Sequence, residues 1–382
     1  HRIGRARVSV PTAGVAVSQD FTLTDAPTIL LVDGGAWYYA EAASYYQAAL
    51  DARDYLYDLY AVRSVYDGAP TLARLRSYDI VIWSSAKDSP RYVGADATLA
   101  DYLRQGGRLI ISGQDIAYWD GGGAGNFVAE YFRGFLNARF VADQANTQSV
   151  VGAGALVGLT WTLDGPDSAN NQAAPDVIGP VKPEASQTVA LYPSSRGAGL
   201  LVNRCTPHRS LYLAFGIEGI NGLSDRATLL DKAVRLMTDR APDHALSAHV
   251  DREQEVGAAG SVLSYTVSLR NLGAQADQYS LAIDGAQWPT QIIDPASGAP
   301  TTALDVPACG TRDLVVRVAI PAGKGWNAHD TATLRIVSRD GGSGPVSQTL
   351  RIESRTPAPL LVVDDDQWVD VQAIYTQALT TA

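Results

Sequence analysis

Hydrophobic and polar positions follow two different periods along the chain. In the first 240 residues, short runs that are largely apolar, such as Thr28–Val32 and Asp79–Trp83, alternate with stretches of helical period such as Ala95–Gln105. Continuous apolar runs are typical of strands buried on both faces, and strands that alternate with helices favour a parallel sheet covered by helices. The pattern therefore predicts a doubly wound α/β parallel sheet over residues 27–241.

Beyond Pro242 the helical period disappears. Ser261–Arg270 alternates strictly between polar and apolar residues and ends in the turn sequence Asn271-Leu272-Gly273. Further short alternating runs follow, separated by Gly, Pro and Asp turns, which is typical of a β-sandwich. We therefore predict an all-β, immunoglobulin-like sandwich over residues 242–356.

Both ends of the chain carry incomplete patterns. Residues 1–26 contain two alternating runs and predict the hairpin-like tail of a preceding β-domain. Leu361–Trp368 matches Leu30–Trp37, so residues 357–382 are predicted to be the first strand and helix of a second α/β repeat. The single methionine, Met237, is not at position 1, and we expect the sequence to be part of a longer chain.

Composition and charge exclude several classes of protein. The 382 residues are 46% hydrophobic and 18% charged, which is typical of folded domains. The net charge of −10 disfavours nucleic acid as a partner, and apolar runs of strand length predict no membrane insertion. The two cysteines, Cys205 and Cys309, are expected to be free and mostly buried thiols, which leaves the redox compartment open.

Polar side chains gather where the predicted parallel strands end. In open α/β sheets this edge is where ligands bind. We hypothesise a crevice for a polar ligand or for Ca²⁺, with no other cofactor expected; the alternative is that these side chains cap helices and satisfy loop amides with nothing bound. The candidate crevice residues are Asp33, Trp37, Ser84, Gln114, Asp115, Asn171, Gln172, Glu218 and Asn221.

Three other motifs give weaker signals. Asp364, Asp365 and Asp366 are weak candidates for a cation site, with a solvated turn as the alternative. Cys205 and His208 are close enough for a thiolate–imidazole pair, but Pro207 between them favours a plain hairpin turn. Asp120–Gly125 is glycine-rich but lacks the Lys-Ser/Thr of a phosphate-binding loop, and we interpret it as a mobile surface loop.

Several segments, taken in order, resemble a known family. They are Ile29–Asp33 with Trp37, Tyr78–Ser84, Gly106–Ile116, Asn171–Pro175 and Phe215–Asn221. With these segments, residues 28–240 resemble the class I glutamine amidotransferase-like (flavodoxin-like) domain of large secreted bacterial peptidase-associated proteins. Residues 243–355 resemble the NEW3-type immunoglobulin-like modules of such proteins, through Tyr265–Gly273 and Trp288. Residues 1–24 loosely resemble the end of a carboxypeptidase-regulatory-type β-domain.

The resemblance implies a nucleophilic cysteine at the turn Ser112–Asp115, and Gln114 stands at that position. An amide cannot attack a carbonyl, so the family's activity is not carried over. We expect a non-catalytic structural or interaction segment of an extracellular, multidomain protein.

Its partners would be other domains of that protein or neighbouring copies. Two alternatives remain open, a module that binds a glycan, a peptide or Ca²⁺, and a self-assembling surface or filament subunit. A hydrolase that uses Asp115 and Glu218 as acid and base is a less favoured hypothesis.

Overall fold

A computed structural model describes residues 27–38, 42–66, 68–239, 243–339, 346–358 and 377. The chain divides into two compact units. The first comprises the residues up to Asp243 together with Leu272–Ala274, and the second comprises His244–Asn271 and the residues from Gln275 onward.

In its described residues, the first unit has eleven strands and five α-helices. The strands are β1 (Ile29–Asp33), β2 (Tyr57–Ala61), β3 (Ile80–Ser84), β4 (Arg108–Ser112), β5 (Ala138–Ala142), β6 (Ser149–Gly152), β7 (Thr160–Thr162), β8 (Val177–Pro180), β9 (Gln187–Tyr192), β10 (Arg196–Val202) and β11 (Arg209–Leu213). The helices are α1 (Ala42–Asp51), α2 (Leu72–Leu75), α3 (Asp96–Arg104), α4 (Ile116–Asp120) and α5 (Leu223–Thr238).

All eleven strands belong to one mixed sheet. Strands β2-β1-β3-β4-β11 lie side by side and run parallel. The sheet continues as β10-β9-β6-β7, in which every pair is antiparallel. The pairs of β8 with β5 and with β10 are antiparallel as well. The predicted doubly wound α/β parallel sheet is therefore wrong.

The short connections between the later strands explain the mixed sheet. Only Pro193–Ser195 separates β9 from β10, and residues 203–208 separate β10 from β11. A parallel pair needs a crossover of about a dozen residues or more, usually a helix, so strands joined this closely must run antiparallel. The strand–helix alternation on which the prediction depended ends after β4.

Alternate residues of the parallel strands enter two separate cores. In β1, Ile29 and Leu31 pack into one hydrophobic cluster, and Leu30 and Val32 pack into the other. Helices α1 and α5 cover the first face, and α3 and α4 cover the second. Because both faces are covered, these strands are apolar at nearly every position.

The second unit contains nine strands in its described residues. They are β12 (Leu246–Val250), β13 (Gln254–Val256), β14 (Val262–Asn271), β15 (Asp277–Asp284), β16 (Thr290–Ile293), β17 (Ala303–Val306), β18 (Thr311–Ala319), β19 (His329–Ser338) and β20 (Ser347–Arg355). They form two sheets, β12-β14-β18-β16 and β13-β20-β19-β15-β17. All pairs are antiparallel except β13 with β20, so this unit has one antiparallel and one mixed sheet.

The two sheets of the second unit share one core. Strand β14 alternates between exposed and buried residues, and Tyr265, Val267 and Leu269 face inward. The Tyr265 hydroxyl group lies 2.7 Å from the Glu353 carbonyl oxygen and 2.7 Å from Ser354 Oγ, which ties β14 to β20. The chain as a whole is built mainly on antiparallel and mixed sheets, so the predicted fold class is wrong.

Some predictions fall on other parts of the chain. The β-domain tail at residues 1–26, the candidate Asp364–Asp366 site and nearly all of the second α/β repeat at 357–382 lie outside the described residues. Among the residues that the structure describes, no helix is both long and apolar enough to cross a bilayer.

Candidate functional site

The carboxyl ends of the parallel strands meet at one edge of the sheet. Asp33, Ser84 and Ser112 are the last residues of β1, β3 and β4, and their backbones are neighbours in the register. Glu218 lies in a short helical turn, Ile217–Gly219, soon after β11 ends. This edge therefore places a carboxylate or a hydroxyl group at the end of three neighbouring strands, with Glu218 close behind the fourth.

Glu218 is the centre of a buried hydrogen-bond network. Its side chain has no solvent exposure. Asn171 Nδ2 donates to Oε1 at 3.0 Å, and the Tyr46 hydroxyl group of α1 donates to Oε2 at 2.9 Å. Tyr46 also lies 2.6 Å from Ser112 Oγ. Both carboxylate oxygens of Glu218 therefore have partners from other parts of the chain.

Gln172 extends the network to the backbone. Its Nε2 donates to Asn171 Oδ1 at 2.6 Å, and its Oε1 accepts from the Gly216 amide at 2.8 Å. Two glycines make room for these side chains. A Cβ atom on Gly216 would lie 2.1 Å from Glu218 Oε1, and one on Gly219 would lie 2.2 Å from Gln172 Cγ. The network therefore depends on close backbone approach at both glycines.

Asp33 and Trp37 lie beside a second buried carboxyl, Asp88, which the sequence analysis missed. Trp37 Nε1 donates to Asp88 Oδ2 at 3.0 Å. Burial raises the pKa of Asp33 to about 6 and that of Asp88 to about 8, and repulsion from Asp120 and then from Asp33 adds to the shift of Asp88. In each of them, Oδ1 is buried without a hydrogen-bond partner among the described residues, which adds to the cost of the ionised form.

Gln114 holds the loop that follows β7. Its side chain is buried, and its Oε1 accepts from the Ala174 amide at 2.9 Å. Its backbone carbonyl accepts from the Asp176 amide, also at 2.9 Å. Gln114 therefore anchors the segment that carries Asn171 and Gln172.

Asp115 and Asp176 form a further group of carboxyls next to Gln114. Burial raises the pKa of Asp115 to about 7, with repulsion from Asp143 adding to it. Burial also raises the pKa of Asp176 to about 8, and Asp115 adds to that shift. Asp176 Oδ2 accepts from the Tyr118 amide at 2.9 Å, and this bond favours the charged form. Burial therefore moves the titration of both carboxyls from acidic pH toward neutral pH.

Asn221 does not join the Glu218 network. Its Oδ1 accepts from the Asp167 amide at 3.0 Å, so it fastens a neighbouring loop. The buried Arg226 secures the same loop through Asp167 Oδ1 at 2.9 Å. Asn221 therefore only holds a neighbouring loop. Glu218, Asn171 and Gln172 are linked in series by hydrogen bonds.

The chemistry that these side chains support is limited by burial. An acid–base pair needs two carboxyls whose pKa values are driven apart, but burial raises the pKa of both Asp115 and Glu218. Within the described ranges, no three His, Cys, Asp or Glu side chains form a group that could hold a metal ion. The geometry indicates that these polar side chains hold the loops at the carboxyl end of the sheet in place.

The cysteines differ from their predicted state. Both Cys205 and Cys309 are disulfide-bonded, so the expectation of free thiols is wrong. A thiolate–imidazole pair with His208 is wrong for the same reason. His208 precedes β11 at the amino edge of the parallel strands, opposite Gln114, and its Nε2 lies 3.0 Å from the Phe135 carbonyl oxygen.

The chain shows weak similarity to known structures. No protein family model matches it, and no curated protein matches it. A ThuA-like protein from Bacteroides uniformis aligns at a TM-score of 0.40 with 14% identity, over 58% of this chain and 96% of that one. A FixG-related protein from Vibrio parahaemolyticus aligns at 0.21 with 20% identity, over 31% and 98%.

A family 123 glycoside hydrolase from Clostridium perfringens aligns at a TM-score of 0.24 with 8% identity, over 31% of this chain. The present chain spans 28% of that hydrolase. At scores this low, none of the three similarities carries an argument about the fold or the activity of this chain.

Proposed function

We propose that the chain is a non-catalytic structural and interaction segment of a large extracellular multidomain protein. Gln114 carries this proposal. It occupies the position at which the resemblance to amidotransferase-like domains expects a nucleophile, and its amide is buried and bonded to the Ala174 backbone. An amide in this position anchors a loop and offers no attacking group.

The surroundings of Gln114 support the same conclusion. A cysteine nucleophile needs a histidine or another base within hydrogen-bond reach. His208 is the one histidine among the described residues of the first unit, and it lies at the opposite edge of the parallel strands. Glu218 is fully enclosed and bonded to Asn171 and Tyr46, which keeps it away from any substrate.

Ammonia release from glutamine tests the proposal. We expect no release above the buffer blank from the protein or from a Gln114→Cys variant, because that variant restores a thiol while the one described histidine of the first unit lies at the opposite edge of the strands. A Gln114→Ala variant serves as the control for folding. Glutamine-dependent ammonia release from the unmodified protein that is lost in Gln114→Ala would contradict the proposal.

The extracellular part of the proposal rests on the cysteines. Disulfides persist in oxidising compartments and are rare in the cytosol. We expect the denatured, unreduced protein to show no reactive thiol, and the reduced protein to show two, in a titration with Ellman's reagent. Two thiols before reduction would remove this support. The proposed partners are other domains of the same protein or neighbouring copies.

A further inference from the structure

A second polar feature of the first unit lies outside the Glu218 network. It is a cleft of about 420 Å³ between the loop that follows β3 and the loop that follows α4. Its lining includes Ser89, Arg91, Tyr92, Trp119, Asp120 and Phe127. This volume lies within the range of about 300–1,000 Å³ that is usual for small-molecule sites. We call it the aromatic cleft.

Aromatic rings form the walls of the aromatic cleft. The rings of Tyr92 and Trp119 meet edge to face, with centroids 5.1 Å apart. The Arg91 guanidinium carbon lies 3.4 Å from the centroid of the Phe127 ring. Tyr92 is 45% exposed and Phe127 is 41% exposed. The rings of Tyr92 and Phe127 are therefore partly exposed to solvent, although Arg91 covers one face of Phe127.

The floor of the cleft is held rigidly. Asp120 has no solvent exposure, and its Oδ1 accepts from the Ser89 hydroxyl group at 2.7 Å. Its Oδ2 accepts from the Tyr131 hydroxyl group at 2.6 Å and from the Arg91 amide at 3.3 Å. These three bonds fix the enclosed Asp120 side chain and tie the loop after β3 to the end of α4.

Several side-chain donors in the cleft form no hydrogen bond within the described residues. In the part of the chain that the structure describes, Arg91 forms no ion pair, and neither the Trp119 indole nitrogen nor the Asn126 side chain forms a hydrogen bond. All three residues line the cleft together with Tyr92 and Phe127. In contrast to the Glu218 network, the cleft combines ring faces with polar groups that remain free to bond.

We propose that the aromatic cleft binds a saccharide through one pyranose ring. The C–H groups of a pyranose carry partial positive charge and pack against the negative face of an aromatic ring. Its hydroxyl groups would accept from the side-chain donors of Arg91 and Asn126. A purely apolar ligand would leave these donors unpaired, which costs binding free energy, so the lining favours a ligand with both a flat apolar face and many hydroxyl groups.

The proposal is independent of the chemistry at Gln114. Saccharide binding would occur whether or not the protein catalyses a reaction, and an ammonia-release assay gives no information on it. The two proposals can therefore fail separately.

Binding to a panel of neutral oligosaccharides, measured on a glycan array and by isothermal titration calorimetry, tests the proposal. We expect at least one neutral saccharide to bind. Trp119→Ala should weaken its binding about tenfold or more, whereas Trp119→Phe, which keeps a ring, should retain most of the affinity. Arg91→Gln should weaken binding less than Trp119→Ala.

A matched control is Trp326→Ala, which removes a tryptophan that is 72% exposed in the second unit. It should leave binding unchanged, and circular dichroism should show that every variant is folded. Three results would overturn the proposal: no binding to any saccharide, binding unaffected by Trp119→Ala, or binding of an aromatic peptide in place of every saccharide.

Discussion

The Glu218 network and the aromatic cleft both lie beyond the carboxyl ends of the parallel strands, but they differ in how far their polar groups are satisfied. Glu218 and Asn171 are enclosed and bonded to each other. Arg91 and Trp119 line an open cleft, and among the described residues their side-chain nitrogens have no hydrogen-bond acceptor. A satisfied buried network stabilises a fold, whereas unpaired donors beside exposed rings are suited to a ligand.

Removing the centre of the network should have the largest effect. Glu218→Ala leaves the donors of Asn171 and Tyr46 buried without an acceptor, and we expect the free energy of unfolding to fall by about 3 kcal/mol. Urea denaturation followed by circular dichroism measures this loss. Glu218→Gln keeps the shape and one acceptor oxygen and should cost less. Equal stability of Glu218→Ala and the unmodified protein would show that the network is not structural.

Acidification should stabilise the protein, which is the reverse of the usual response. Carboxyls with raised pKa values, such as Asp88 and Asp176 at about 8, bind more protons in the folded than in the unfolded state. Folding stability is therefore lost as pH rises from about 4, the unfolded-state pKa, to about 8.

We expect the free energy of unfolding to be about 2 kcal/mol higher at pH 6 than at pH 8.5. Melting temperatures across this range measure the effect. Asp88→Asn and Asp176→Asn should each flatten the dependence. A melting temperature that falls steadily from pH 8.5 to pH 6 would contradict the buried, protonated state of these groups.

Adding a methyl group at Gly219 should destabilise the protein less than Glu218→Ala does. Gly219→Ala places a Cβ atom 2.2 Å from Gln172 Cγ, so Gln172 must move and lose its bonds to Asn171 and Gly216. We expect a loss of about 1–2 kcal/mol in the same denaturation assay. The control is Gly134→Ala, because the nearest atom to its Cβ lies 3.8 Å away. If both variants lose the same amount, close approach at Gly219 is not the cause.

Changes in the aromatic cleft should affect stability least. Arg91→Gln removes an exposed side chain that forms no ion pair within the described residues and packs on the Phe127 ring, and we expect a loss of about 0.5 kcal/mol. The contrast with Glu218→Ala is the sharpest test of the difference between the two regions. A loss as large as that of Glu218→Ala would show that the cleft is a structural element.

The individual strands were easier to predict than their arrangement. The apolar run Thr28–Val32 corresponds to β1 at Ile29–Asp33, and the alternating run Ser261–Arg270 corresponds to β14 at Val262–Asn271. Side-chain burial imposes these local periods, so they are visible in sequence. The direction of a strand depends on its connection, and the short link Pro193–Ser195 already excluded a parallel pair.

The candidate site was predictable in position but not in bonding. Asp33, Ser84 and Glu218 were expected at the edge of the sheet because each follows or ends a strand. Tyr46 and Asp88 were missed, since a helix residue and a loop residue reach this edge only through tertiary packing. The position of Asp88, four residues after β3, was the one available signal. Pairing of the cysteines also depends on distances that sequence spacing does not give.

The mixed sheet also has a consequence for the order of folding. Strands β9 and β10 pair across a three-residue link, whereas β4 and β11 pair across about 100 residues of chain. Closing a long loop costs more entropy than closing a short one, and non-local pairs form slowly. We therefore expect the antiparallel hairpins to form early and the β4–β11 pair to join the parallel half of the sheet to them late. Formation of the β4–β11 pair would then limit the rate at which the first unit folds.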